Sequence, residues 1–134
     1  MNVNLKSIEA FKNISQSNIK ALEKEVEFVK YSLGRPICRS DIIPKRVLII
    51  LEGEARFISK INNYASTLIK IGKGSFIGLA SLLNVKGCEF ISASSEILAM
   101  SISDQFILKL YKEELSFKNW CDNTLQIAEA CQVA

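Results

Sequence analysis

The chain has no histidine among its 134 residues. Without an imidazole, Ser-His-Asp and Cys-His catalytic arrangements are excluded. The β-barrel enzymes that hold a metal through histidines are disfavoured for the same reason. The four cysteines are Cys38, Cys88, Cys121 and Cys131, and no two stand at a C-x-x-C spacing. A zinc site of the finger type is therefore not expected. No local pattern suggests a Ser-Lys or two-carboxylate site. The sequence assigns no catalytic residue, no metal ligand and no cofactor, and it is read as a non-enzyme.

Runs of basic residues are missing too. Seventeen Lys and Arg face fourteen Asp and Glu, for a net charge of +3. A nucleic-acid binder usually concentrates its positive charge on one stripe. None is present, so no nucleic-acid partner is expected. Long apolar runs are also absent. The longest, Val47 to Leu51, falls far short of the ~20 residues a membrane span needs, so no membrane contact within the chain is expected. The start, Met1-Asn2-Val3-Asn4, has no apolar signal core. A reduced cytoplasmic setting with four free thiols is the expectation. What is abundant is apolar residues, at 49%. A chain of this length buries roughly two thirds of its unfolded surface, enough for one domain without staples.

Along the chain, the first thirty residues read as helical. Leu5, Ile8, Phe11 and Ile14, then Ile19, Leu22 and Val26, recur at three- and four-residue steps. The cluster Ser15 to Asn18 separates two helices, because these side chains favour caps. From Val26 the composition turns β-rich. Gly34-Arg35-Pro36 marks a turn, Ile37-Cys38 a short strand, and Ser40 to Pro44 a loop. Val47 to Leu51 is continuously aliphatic, which predicts a strand buried on both faces. Further strands are predicted over 55–61, 67–71, 75–77, 90–93 and 96–102, with a short helix over Gly78 to Leu83. Ser103 is a plausible N-cap, with Asp104 in the acidic first turn. Phe106, Ile107 and Leu110, then Phe117, Trp120, Leu125, Ala128 and Cys131, continue as helix. One domain over 1–134 is expected, with N-terminal helices over 5–28, strands over 29–102 and C-terminal helices over 103–134. The chain stops inside an apparent helix with no capping signal. A piece of a longer protein is the expectation.

The segment from Gly74 to Ala93 carries most of the chemistry. A glycine leading into a short helix can present backbone N–H groups to an anion, here Gly78 with Leu79, Ala80 and Ser81. Together with Tyr31-x-x-Gly34, Asp41-x-x-Pro44-x-x-Val47, Glu52-Gly53-Glu54-Ala55-Arg56 and Gly72-x-Gly74-x-Phe76-Ile77-Gly78, the segment resembles the phosphate-binding cassette of cyclic-nucleotide-binding domains. The resemblance spans about residues 8–115. It implies an eight-stranded antiparallel β-roll, jelly-roll-like, flanked by N- and C-terminal helices.

Two positions depart from that family. Its cassette has a glutamate after the glycine, accepting from the ribose 2′-hydroxyl; this chain has Leu79. Its cassette ends in an arginine paired with the cyclic phosphate; this chain has Gly87 or Cys88. A charge-assisted hydrogen bond contributes roughly 1.5–3 kcal/mol. Losing two weakens binding by about two to four decades. Cys88 and Glu89 sit in the cassette with Lys86 next door, and with Gly78 to Ser81 and Gly87 they make up the candidate ligand-binding set; Lys86 itself reads as a solvated lysine rather than a replacement cation. Cys88 reads as packing rather than a reactive thiol.

Glu52, Glu54 and Arg56 follow the buried strand and read as exposed strand-end charges rather than a pocket lining; Glu54 and Arg56, two apart on one face, are placed to pair with each other. Trp120 and Phe117 are suited to anchoring a helix, either on the roll or on a neighbour. The runs Gly78 to Leu83, Cys88 to Ser94 and Phe117 to Cys121 more closely resemble the N-terminal domain of cyanobacterial peptidase-containing ABC exporters of the bacteriocin or toxin type. That resemblance implies a regulatory domain that binds a small ligand or the parent's other domains, tethered to the inner membrane only through that parent. The alternatives are a protein-interaction module with no ligand, or the sensor of a truncated catabolite-activator-type regulator. The mildly apolar tail Leu125 to Ala134 suits packing on a second copy, so a homodimer stays open.

Overall fold

The computed structural model describes residues 3–39, 41–61, 64–85, 87 and 90–124. Two single 3-10 turns, Leu5–Ser7 and Glu9–Phe11, precede helix α1, Gln16–Glu25. The N-terminal spacing predicted helix there. Ile8 adopts an extended conformation (φ −81°, ψ 124°) between the two turns, and this lets Leu5 and Phe11 both point into the core. The capping expectation holds for α1: Ser15 accepts a hydrogen bond from the Asn18 amide.

Eight strands follow: β1 Glu27–Tyr31, β2 Pro36–Cys38, β3 Arg46–Glu52, β4 Ala55–Ile61, β5 Tyr64–Ile71, β6 Phe76–Ile77, β7 Ile91–Ala93 and β8 Ile97–Ser103. The roll thus begins two residues before the expected start at 29. Helix α2, Leu79–Leu83, sits between β6 and β7; α3, Asp104–Glu113, and α4, Leu115–Thr124, end the described chain. The strands form two four-stranded antiparallel sheets, ordered β1-β8-β3-β6 and β2-β7-β4-β5. This is the β-roll with flanking helices that the sequence implied.

Strand β3 explains the layering. Val47 and Ile49 join the helix-side core, whereas Leu48 and Ile50 join the core between the sheets. Alternate side chains point to opposite faces, so a strand with a core on each side must be aliphatic throughout. β8 behaves alike, sending Met100 and Ile102 one way and Ile97 and Ala99 the other.

Polar contacts lock the helices to the first sheet. Arg46 Nε donates to Ser101 Oγ (2.6 Å) and Nη2 to the Ser101 carbonyl (3.1 Å). Nη2 also lies 3.7 Å from carboxylates of Glu25 and of Glu27, while Glu25 accepts from the Ser103 amide. These contacts satisfy a buried serine and fix the end of α1 on the sheet. By contrast, Glu54 does not pair with Arg56. It faces Lys70 on the neighbouring strand (3.7 Å), and Arg56 donates to Thr67 (3.5 Å). Register decides: β5 lies beside β4 and brings Lys70 and Thr67 into reach.

Glu114, between α3 and α4, reaches back to the start of α1. It accepts from the Ser15 amide (3.1 Å), Ser15 Oγ (2.8 Å) and Asn18 Nδ2 (2.5 Å). Burial pushes its pKa up, but the hydrogen bonds from Asn18 and Ser15 outweigh this and hold it below the ordinary glutamate value. The carboxylate's stabilisation is therefore complete above about pH 4.3 and is lost as pH falls through the lowered folded value. Glu114→Ala also strips buried Asn18 of a partner. An expected loss of about 1–3 kcal/mol at neutral pH is checked by urea unfolding. The gap from the parent chain should narrow as the pH falls below about 4.

Candidate functional site

The β6–α2 junction is built by one glycine. Gly78 caps α2 in the left-handed region (φ 91°, ψ −8°). A Cβ there would lie 2.9 Å from Pro44 Cγ, so glycine is required by both backbone and space. The turn closes the helix through Leu82 N to the Gly78 carbonyl (3.0 Å). The amides of Leu79 and Ala80 have no acceptor within the helix itself.

The sequence-derived site residues fall into three groups. Gly78, Leu79, Ala80 and Ser81 are together at the start of α2 and all are buried. Gly87, after α2, is half-buried. Lys86, Cys88 and Glu89 lie outside the described residues. Leu79 is 3% exposed and packs in the helix-side core with Phe11, Val47 and Phe117. Val85, after α2, holds a positive φ of 51° while 77% exposed, a conformation a β-branched residue rarely adopts.

Leu79 and Ala80 line a partly open pocket of about 230 Å³. It lies where the two cores meet. Phe57 of β4, Ser75, Phe76 of β6, Ile91 of β7, and Trp120 and Thr124 of α4 also line it. Ser81 is fully buried and does not line this space. The Phe76 and Trp120 rings meet at 4.7 Å between centroids, tilted by 47°. Phe117 stacks behind them on Phe11 (5.9 Å) and on Trp120 (6.4 Å). Trp120 therefore anchors α4 on the roll, the choice the sequence left open.

No described residue lining the space is charged. Cys38 and Cys121 are buried and unbonded to each other, and burial, reinforced by Asp122, pushes the Cys121 thiol up to about 12. Sequence reasoning found the β6–α2 side of the space and missed Phe57, Ile71, Ser75, Ile91 and Thr124. Only the lone tryptophan signalled the α4 side.

No family model matches the sequence, and no curated protein matches it. Solved structures do resemble its fold. A putative cyclic nucleotide-binding protein from Geobacter metallireducens aligns at 14% identity over 97% of this chain and 96% of its own, with a TM-score of 0.74. Thermus thermophilus catabolite activator protein aligns at 15% identity over 93% of this chain, TM-score 0.72. The regulatory domain of Toxoplasma gondii protein kinase A, solved with cAMP, aligns at 13% identity over 78% of this chain, TM-score 0.72. The chain spans 59% of the Thermus protein and 41% of the Toxoplasma one. At these identities the likeness establishes the fold alone, the β-roll with flanking helices that these proteins share. No helix among the described residues is long and apolar enough to cross a membrane.

Proposed function

We propose that this chain is a non-catalytic regulatory domain of the cyclic-nucleotide-binding type, with a phosphate cassette that has lost its charged contacts, and that it controls an attached ABC-type peptide or toxin exporter. The observation that carries the reading is Leu79. It stands in the first turn of α2, directly after the left-handed Gly78, where the family presents a carboxylate to the ribose. Here an aliphatic side chain turns into the core instead. Gly87, one of the two positions aligned with the phosphate-binding arginine, carries no side chain. The turn geometry is kept and the charge chemistry is not.

Regulation is supported by the fold, which the neighbours use in a kinase regulatory domain and a catabolite activator. The exporter is supported by the sequence resemblance at Gly78 to Leu83, Cys88 to Ser94 and Phe117 to Cys121. A ligand or partner acts in such a domain only through unequal affinity for the parent's two states.

The test is thermal stability with cyclic AMP or cyclic GMP at millimolar concentration. No shift in Tm is expected. A ligand present at 100 times its dissociation constant stabilises by about 2.7 kcal/mol, so a clear shift would overturn the reading of the cassette. The coding sequence beyond residue 134 tests the exporter: a peptidase and transporter support it, and a helix-turn-helix refutes it.

A further inference from the structure

We infer that the partly open pocket lined by Trp120 is a binding site for a small, flat, uncharged aromatic molecule of one or two fused rings, and that it discriminates against phosphorylated ligands. This rests on the reading above, that the cassette lacks its charged contacts. It adds what the site accepts in exchange.

Size comes first. Pockets for drug-sized ligands run to about 300–1,000 Å³. This one is smaller, about 230 Å³. It suits a base or an indole and is too small to enclose a whole nucleotide.

The lining sets the polarity. Phe57, Phe76, Leu79, Ile91 and Trp120 present carbon, and no described lining residue carries charge. Transferring an ionised group into such surroundings without a partner costs several kcal/mol or more. A phosphate is thus disfavoured by the walls as well as by the missing cassette contacts.

Shape favours an aromatic guest. Two rings of the wall, Phe76 and Trp120, are held at fixed positions by the stack that runs back through Phe117 to Phe11. Aromatic pairs prefer offset or edge-on contacts with centroids about 4.5–7 Å apart, and these two packed rings offer a flat guest such contacts.

One polar group gives direction. Thr124 Oγ1 already donates to the Trp120 carbonyl (2.8 Å). The Ser75 backbone is engaged: its amide donates to Gly72 and its carbonyl accepts from Ile50 (both 3.0 Å). No hydrogen bond of Ser75 Oγ occurs among the described residues. That hydroxyl is left to meet a ring nitrogen or N–H.

Two chemical sources share these properties, a nucleobase and an indole, and the test separates them. Adenine, indole and cyclic AMP are titrated separately by calorimetry into the full chain. Trp120, the one tryptophan, reports adenine binding by fluorescence, and saturation-transfer NMR reports indole. At least one neutral probe is expected to bind about tenfold or more tightly than cyclic AMP. Ala80→Phe, which fills the space from α2, is expected to weaken that probe by about tenfold or more. Should that variant not fold, Ile71→Trp at the rim replaces it. If adenine binds, the source is a base; if indole alone binds, it is an indole; either supports the inference. Binding that survives in the folded filling variant lies elsewhere and overturns it. If no probe binds, this inference falls while the cassette reading stands. If cyclic AMP binds as tightly as the neutral probes, both fall.

Discussion

Gly53→Ala is expected to cost roughly 3 kcal/mol or more, near the upper end for a single methyl group. Gly53 ends β3 with φ +98°, and its missing Cβ would fall on the Glu96 carbonyl oxygen, with Ile97 Cα at 3.0 Å. Both obstacles are backbone, so neither can swing aside. The turn cannot retreat either. The Glu54 amide donates to Ser95 Oγ (2.9 Å), and the Glu54 carbonyl accepts from the amides of Ser94 and Ser95. Gly34→Ala is the control. Its φ is +85° but nothing lies within 4 Å of the added carbon. It should lose only the left-handed backbone term, about 1–2 kcal/mol. For a chain of this length each kcal/mol moves Tm by about 3–5 °C. Calorimetry of the two variants should show Gly53→Ala melting well below Gly34→Ala. Equal losses would mean that the close approach to Glu96 is not what requires glycine.

Phe117→Ala is expected to be the most damaging core truncation at the C-terminal end, at about 3–5 kcal/mol. Phe117 is fully buried, stacked on Phe11 on one side and on Trp120 on the other. Its loss removes the wedge that seats α4, so Trp120 should leave Phe76 and enter water. Because no other tryptophan contributes, the emission maximum of the folded state should shift to longer wavelength. Leu115→Ala, two residues earlier and 71% exposed, should change stability by no more than about 0.5 kcal/mol and leave the emission in place. A folded Phe117→Ala with unshifted emission would show that α4 is held chiefly by other contacts.

The parts of this structure legible in the sequence are those fixed by neighbours in the chain. β3 was readable because Val47 to Leu51 is aliphatic without interruption. The caps at Ser15 and Ser103 were readable because each accepts from an amide three residues on. β5 was placed only from Thr67, yet it begins at Tyr64. Tyr64-Ala65-Ser66 carries no apolar alternation, and pairing with Ile61, Lys60 and Ser59 of β4 extends it. The Glu54–Arg56 pairing is not seen for the same reason, since the adjacent strand β5 supplied other partners, Lys70 and Thr67. The site divides along this line. Gly78, Leu79 and Ala80 follow one another and could be found from a motif. Phe57, Ile91 and Trp120 reach the same space from three other elements, and no local spacing records that meeting.

The pairing of β1 with β8, Glu27 opposite Ser101 and Tyr31 opposite Ile97, also sets the order of assembly. The first strand made waits for the last. On a ribosome releasing about 5–20 residues per second, β1 spends several seconds without its partner. The Glu25 carboxylate waits equally long for the Ser103 amide. The hairpin of β4 and β5 can close early, since its strands are adjacent in the chain. Refolding should therefore fall in the slow range, milliseconds to seconds, that distant pairing imposes.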